Sequence, residues 1–140
     1  MLFRSLNGSV RFFETRSVSE IAAIMAEADL GVVPKRADSF GNEAYSTKIM
    51  EFMSLRIPVV VSSTEVDRHY FNDSIVRFFP SGDEQALARE MVVLLRDPGL
   101  CREMVDRAGQ YAVQNCWESR APDYLRIVEA LCAVGKQTRN

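Results

Sequence analysis

At 140 residues the chain has the length of about one domain, and with 47% apolar residues it can bury a core without covalent staples. Seventeen Lys and Arg against nineteen Asp and Glu leave a net charge of −2. That balance excludes an acidic disordered segment and a nucleic-acid binder working through bulk charge.

Two periodicities alternate along the chain. Val10-Arg11-Phe12-Phe13 is a short β-type run rich in branched and aromatic residues. Ser17-Val18-Ser19-Glu20 fits a capping box, and Ile21, Ile24, Met25 and Ala28 follow at helical spacing on one apolar face. Leu30-Gly31-Val32-Val33 is the next strand, stopped by Pro34. From Lys35 to Tyr45 the chain is polar and turn-prone, and a helix opens at Ser46-Thr47 and runs to about Leu55. Pro58-Val59-Val60-Val61-Ser62 is the nearly continuous apolar run of a strand covered on both faces.

A polar stretch with one helical turn leads to a strand at Ile75-Val76-Arg77-Phe78-Phe79. Ser81-Gly82-Asp83-Glu84 offers a second capping box before a helix carrying Leu87, Met91 and Leu94, which Asp97-Pro98-Gly99 breaks. A helix with Leu100, Met104, Ala108 and Tyr111 comes next. After Trp117 and Pro122, a terminal helix is marked by Tyr124, Ile127, Val128 and Leu131, with 136–140 as a frayed tail. Strand and helix in this alternation imply right-handed βαβ units. The expected class is α/β: a Rossmann-like parallel sheet of three or four strands flanked by helices, with a helical C-terminal third, in one domain.

Open parallel sheets bind ligands beyond the carboxyl ends of their strands, often at a helix start. The connection after Val33 is such a place. Free backbone amides and the dipole at Ser46 and Thr47 favour a phosphate there. Glu43 before that point and Glu51 within the helix flank it, and carboxylates accept strong hydrogen bonds from sugar hydroxyls. The plainer reading of the same residues is an amphipathic helix in which Lys48 and Glu51 form a surface pair.

From Val10 to about Leu131 the chain resembles the C-terminal half of GT-B-type retaining glycosyltransferases of the large family 4. The likeness rests on Val10-Arg11-Phe12-Phe13, on Glu20-Ile21 through Ala28-Asp29-Leu30-Gly31-Val32-Val33-Pro34, and above all on Glu43-Ala44-Tyr45-Ser46-Thr47-Lys48-Ile49-Met50-Glu51-Phe52-Met53. That last stretch is similar to the family's E-x7-E motif and runs into Ile57-Pro58-Val59-Val60-Val61-Ser62. Ser81-Gly82-Asp83, Leu94-Leu95-Arg96-Asp97-Pro98 and the lone Trp117 add to it.

The resemblance implies transfer of a hexose from a nucleotide-diphosphate sugar to a glycan or lipid-linked acceptor, with retention. Glu43 takes the catalytic position near the reacting carbon and Glu51 holds the ribose. Tyr45, Ser46 and Thr47 complete the nucleotide-sugar site, with no metal and no cofactor beyond the donor substrate. Two departures stand out: Ala44 and Ser46 replace frequent glycines, and Arg56 replaces a helix-ending glycine. The family's first two strands and its acceptor domain have no counterpart here. A missing N-terminal domain, or a second chain completing the sheet, is therefore an expected partner, and the chain by itself is expected to be inactive. A non-catalytic α/β interaction module is the alternative.

Val10–Phe13 is expected to pair with Leu30–Val33, or another chain to fill that edge. His69 reads as a surface or packing residue, and Met25, Met50, Met53, Met91 and Met104 as core material. Cys101, Cys116 and Cys132 form no pairing motif and read as buried or half-buried thiols of a reducing compartment. No run reaches the ~20 apolar residues of a transmembrane segment. The expectation is a cytoplasmic protein, peripheral to the inner membrane as part of the full enzyme, that binds no nucleic acid.

Overall fold

The computed structural model describes residues 9–137, and side chains up to residue 133. Its centre is a sheet of three parallel strands, β1 (Gly31–Val33), β2 (Val59–Ser63) and β3 (Arg77–Pro80), in the order β1-β2-β3. Gly31 lies opposite Val59, Val33 opposite Val61, and Val61 opposite Phe78. The α/β expectation with a helical C-terminal part holds.

Alternation along β2 divides the core between the two faces of the sheet. Val59 and Val61 meet Val33, Phe78, Ile49, Met53, Phe71, Ala108 and Ala112 on one face. Val60 meets Phe79, Ala86, Leu94 and Met104 on the other. Val60 and Val61 are 0% exposed, and burying each contributes about 1.5–3 kcal/mol. The continuous apolar run therefore made the middle strand.

Among the described residues seven helices surround this sheet: α1 (Val18–Ala26), α2 (Ser39–Glu43), α3 (Thr47–Ser54), α4 (Glu65–Tyr70), α5 (Glu84–Arg96), α6 (Pro98–Asn115) and α7 (Trp117–Gln137). Ile49 and Met53 of α3, with Ala108 and Ala112 of α6, cover the first face, while α5 contributes Ala86 and Leu94 to the second. Position 31 must be glycine because β1 passes against α3, where a Cβ would lie 2.6 Å from the Phe52 ring. None of the described helices is long and apolar enough to cross a membrane.

Several expectations need correction. Val10–Phe13 forms no strand, and β1 pairs with β2 alone among the described residues. A strand needs a ladder partner, and the helix meant to close that crossover, α1, buries none of its residues. Its Ile21 and Ile24 stay more than one-third exposed, at 36% and 37%, so Met25 is not core material. Met53 and Met104 are buried, and Met50 and Met91 pack against the two clusters.

The segment 35–45 is not all loop, since Asp38 accepts from the Gly41 amide and nucleates α2. Helix α5 is capped by Asp83, not Ser81. Helix α7 begins at Trp117, takes in Pro122 and extends through Gln137, so positions 136 and 137 are helical, while 138–140 lie outside the described residues. The apolar markers of α7, including Tyr124, Ile127 and Leu131, are exposed. Cys132 is exposed too, while Cys101 and Cys116 are half-buried and all three are free thiols.

Candidate functional site

The carboxyl ends of all three strands converge on Lys35, the second residue after β1. Its amide donates to Ser62 Oγ of β2 at 2.7 Å, and its carbonyl accepts from Ser81 Oγ beyond β3 at 2.7 Å. Ser81 Oγ also accepts from the Ala37 amide at 2.9 Å, so its recorded bonds run to the 35–37 segment and the cap of α5 falls to Asp83. The Lys35 ammonium turns toward the next connection. It lies 2.7 Å from Asp67 Oδ2 and donates to the Ala44 carbonyl at 2.8 Å.

Asp67 is 0% exposed and sits in the first turn of α4. Thr64, the N-cap of α4, donates its hydroxyl to Asp67 Oδ2 at 2.8 Å, and Asp67 Oδ1 has no hydrogen-bond partner. Leaving one oxygen of a buried carboxylate unpaired is costly, so the ammonium at Oδ2 is what makes this burial tenable. Lys35, Thr64 and Asp67 escaped the sequence reading. Positions 35 and 67 are too far apart for any local pattern to join them. His69 is exposed and packs edge-on against Tyr70, as expected for a surface or packing role.

Glu43 is the last residue of α2, where a loop position was expected, and it is exposed. Ala44 then turns the chain with an extended backbone (ψ 111°) toward α3. Tyr45 lies edge-on to Tyr70 at 5.0 Å between centroids and 5.8 Å from Phe71. Burial pushes the Tyr45 phenol up to about 12, with the nearby Tyr111, Tyr70 and Asp67 acting in the same direction.

Ser46 is the N-cap of α3, but its side chain makes no capping bond. The contrast is informative, because Ser17, Asp38, Thr64, Asp83 and Asp97 all accept from first-turn amides of their helices. Helix α3 thus starts with its first-turn amides uncapped by a side chain, and its positive dipole end follows directly on Glu43, Ala44 and Tyr45.

Glu51 lies about 7 Å further along the α3 axis from Ser46. Its Oε2 accepts from Lys48 Nζ at 3.0 Å, with both side chains well exposed, which is the surface pair the plainer reading expected. Such a pair contributes only about 0.2–0.5 kcal/mol, whereas a hydrogen bond to a charged group contributes about 1.5–3 kcal/mol. Lys48 therefore does not bar a hydroxyl ligand from Glu51.

Glu51 also lines two cavities. One, of about 200 Å³, lies between α1 and α3 and includes Ile21, Met25 and Lys48. The other, of about 370 Å³, includes Tyr45, Met50 and Asn115. Glu43 lines neither. The structure thus brings Tyr45 and Glu51 to one cavity, sets Ser46 and Thr47 at a helix start, and leaves Glu43 on the surface beside them. Among the described residues, no group of three or more His, Cys, Asp or Glu side chains is placed to hold a metal.

Comparison with known proteins supplies the lineage. The family described as glycosyl transferases group 1 matches residues 1–113. Phosphatidyl-myo-inositol mannosyltransferase from Mycobacterium leprae (strain TN) is 31% identical over 132 residues, which cover 93% of this chain and 34% of that protein. D-inositol 3-phosphate glycosyltransferase from Salinispora arenicola (strain CNS-205) is 28% identical over 132 residues, covering 28% of its length. The chain thus spans about a third of the length of the relatives it matches. Among solved structures, sucrose-phosphate synthase from Thermosynechococcus elongatus superposes with a TM-score of 0.81 at 21% identity, over 93% of this chain and 32% of that one. That likeness is one of fold.

Proposed function

The chain belongs to the glycosyl transferases group 1 family, and on that premise we propose that it is the donor-binding part of a retaining enzyme. In this reading a hexose moves from a nucleotide-diphosphate sugar to a glycan or lipid-linked hydroxyl. The observation that carries it is the α3 start, free of a side-chain cap, with Glu43 before it and Glu51 within it. The diphosphate lies on the first-turn amides at Ser46 and Thr47, where fixed dipoles stabilise a leaving anion without reorganising. Glu51 holds the ribose hydroxyls, Tyr45 borders the nucleotide, and Glu43 faces the sugar near the reacting carbon. The donor is a substrate, and this reading assigns the chain no resident metal or cofactor.

An acceptor-binding domain, supplied by further chain or by a partner, completes the cleft, so the 140-residue chain alone transfers no sugar. A cytoplasmic site of action at the inner-membrane surface fits a lipid-linked acceptor. The Lys48–Glu51 ion pair is the observation that favours the other reading, a non-catalytic interaction module. Titration calorimetry with UDP and with GDP separates them. Glu51→Ala is expected to weaken the better-bound nucleotide about tenfold or more, the loss of one or two charge-assisted hydrogen bonds, while the melting curve stays in place. An unaltered affinity, or no binding of either nucleotide by the parent chain, overturns the donor-site reading.

A further inference from the structure

We propose that Lys35 is a positioning residue for the donor site, held on station by Asp67, and that its task is to fix the peptide joining Glu43 to the start of α3. The inference rests on the donor-site reading above for its function, but its geometry stands independently. An ammonium has three donors and no acceptor. Here one faces the fully buried Asp67 Oδ2 at 2.7 Å and another the Ala44 carbonyl at 2.8 Å. Ala44 is the residue between Glu43 and Tyr45, so the bond to its carbonyl holds the turn from which α3 departs.

Two further contacts seat the same turn on the α4 region. Asn42 Oδ1 accepts from the Glu65 amide at 3.2 Å, and the Tyr45 ring packs on Tyr70 and Phe71. Lys35 is the strut that reaches this assembly from β1. Its own backbone is pinned by Ser62 and Ser81 at the strand ends. The Lys35 side chain thereby ties the end of β1 to the Ala44 carbonyl, within the segment that carries Glu43, Tyr45 and the α3 amides.

Stability alone does not call for this arrangement. Replacing both members of a buried ion pair by apolar side chains is often neutral or stabilising. A charged pair that also spends a donor on a main-chain carbonyl instead serves geometry, as a supporting shell around a site does.

The test uses the full chain as Lys35→Met and as the double variant Lys35→Met/Asp67→Leu, which leaves no charge buried. Hydrogen exchange is followed at the Asn42, Ala44 and Ile49 amides, bonded to Asp38, Phe40 and Ser46 carbonyls, and at the Val60 and Val61 amides of β2 as reference. The expected result in the double variant is exchange about tenfold faster at the first three with β2 unchanged. UDP-glucose or GDP-mannose, whichever the parent binds, is expected to bind about tenfold more weakly.

Exchange that stays at the parent rate, or rises equally in β2, overturns the inference. A double variant that does not fold assigns the pair to stability and overturns it too, as does full donor affinity despite faster exchange. If the parent binds neither nucleotide sugar, the donor-site reading falls while the exchange rates still decide whether Lys35 fixes the turn.

Discussion

The Tyr45 hydroxyl sits where ionisation is costly. Burial is the main cause of its rise to about 12, and Tyr111, Tyr70 and Asp67 add to it. The sign follows from linkage. A phenol whose folded pKa is raised contributes stability that is fully present below the ordinary phenol range, near 10, and lost as pH rises through about 12. An alkaline titration of the parent chain by phenolate absorbance should therefore show a late-ionising step that Tyr45→Phe removes. Disappearance of that step in Tyr70→Phe alone would assign it wrongly here.

Residues of this kind were unevenly legible in the sequence. Lys48 and Glu51 are three positions apart on one helix, so their pairing could be read from spacing, and it forms. Lys35 and Asp67 are brought together only by the sheet and α4, so no window of sequence contains the signal.

Helix α3 shows the same division between its two ends. Its start was legible, because Ser46 and Thr47 follow a polar stretch and precede an apolar stripe. Its end was flagged by Arg56, which the family resemblance sets at the place of a helix-ending glycine. The structure answers that Arg56 adopts the glycine conformation regardless, with φ 61°, the one non-glycine residue with positive φ among those described. A left-handed non-glycine residue costs about 1–2 kcal/mol, and the exposed Arg56–Asp106 pair at 3.1 Å returns only about 0–1 kcal/mol.

Arg56→Gly is accordingly expected to stabilise the chain by up to about 1 kcal/mol, seen as a higher urea midpoint at unchanged slope. A lower midpoint would show that the ion pair outweighs the strain. The capping boxes make a parallel case. The one at Ser17 forms, with both reciprocal bonds present, because nothing distant competes for either side chain. The one read at Ser81 does not: α5 starts at Glu84 with Asp83 as its cap, and the Ser81 hydroxyl bonds the Lys35 carbonyl and the Ala37 amide instead.

At the scale of the whole molecule, the sheet was legible as a succession of strands and crossovers, since its apolar runs are local. Which strands become neighbours was not, because pairing depends on what covers each crossover. Helix α1 illustrates the point: a sound cap and an apolar stripe gave a helix, yet none of its residues is buried and, among the described residues, no strand precedes it in the sheet.

Among the described residues the outer side of β1 has no ladder partner, and it is there that concentration is expected to act. Gly31 and Lys35 donate their amides toward β2, so by alternation the Val32 amide faces away from it. A strand of three residues is a short template, which keeps edge pairing weak and reversible. Sedimentation equilibrium is expected to show a weight-average mass that climbs with loading concentration. Val32→Pro, which removes an outward donor without touching the β1–β2 ladder, should flatten that dependence. A mass independent of concentration in the parent chain would mean that this edge is already closed in solution.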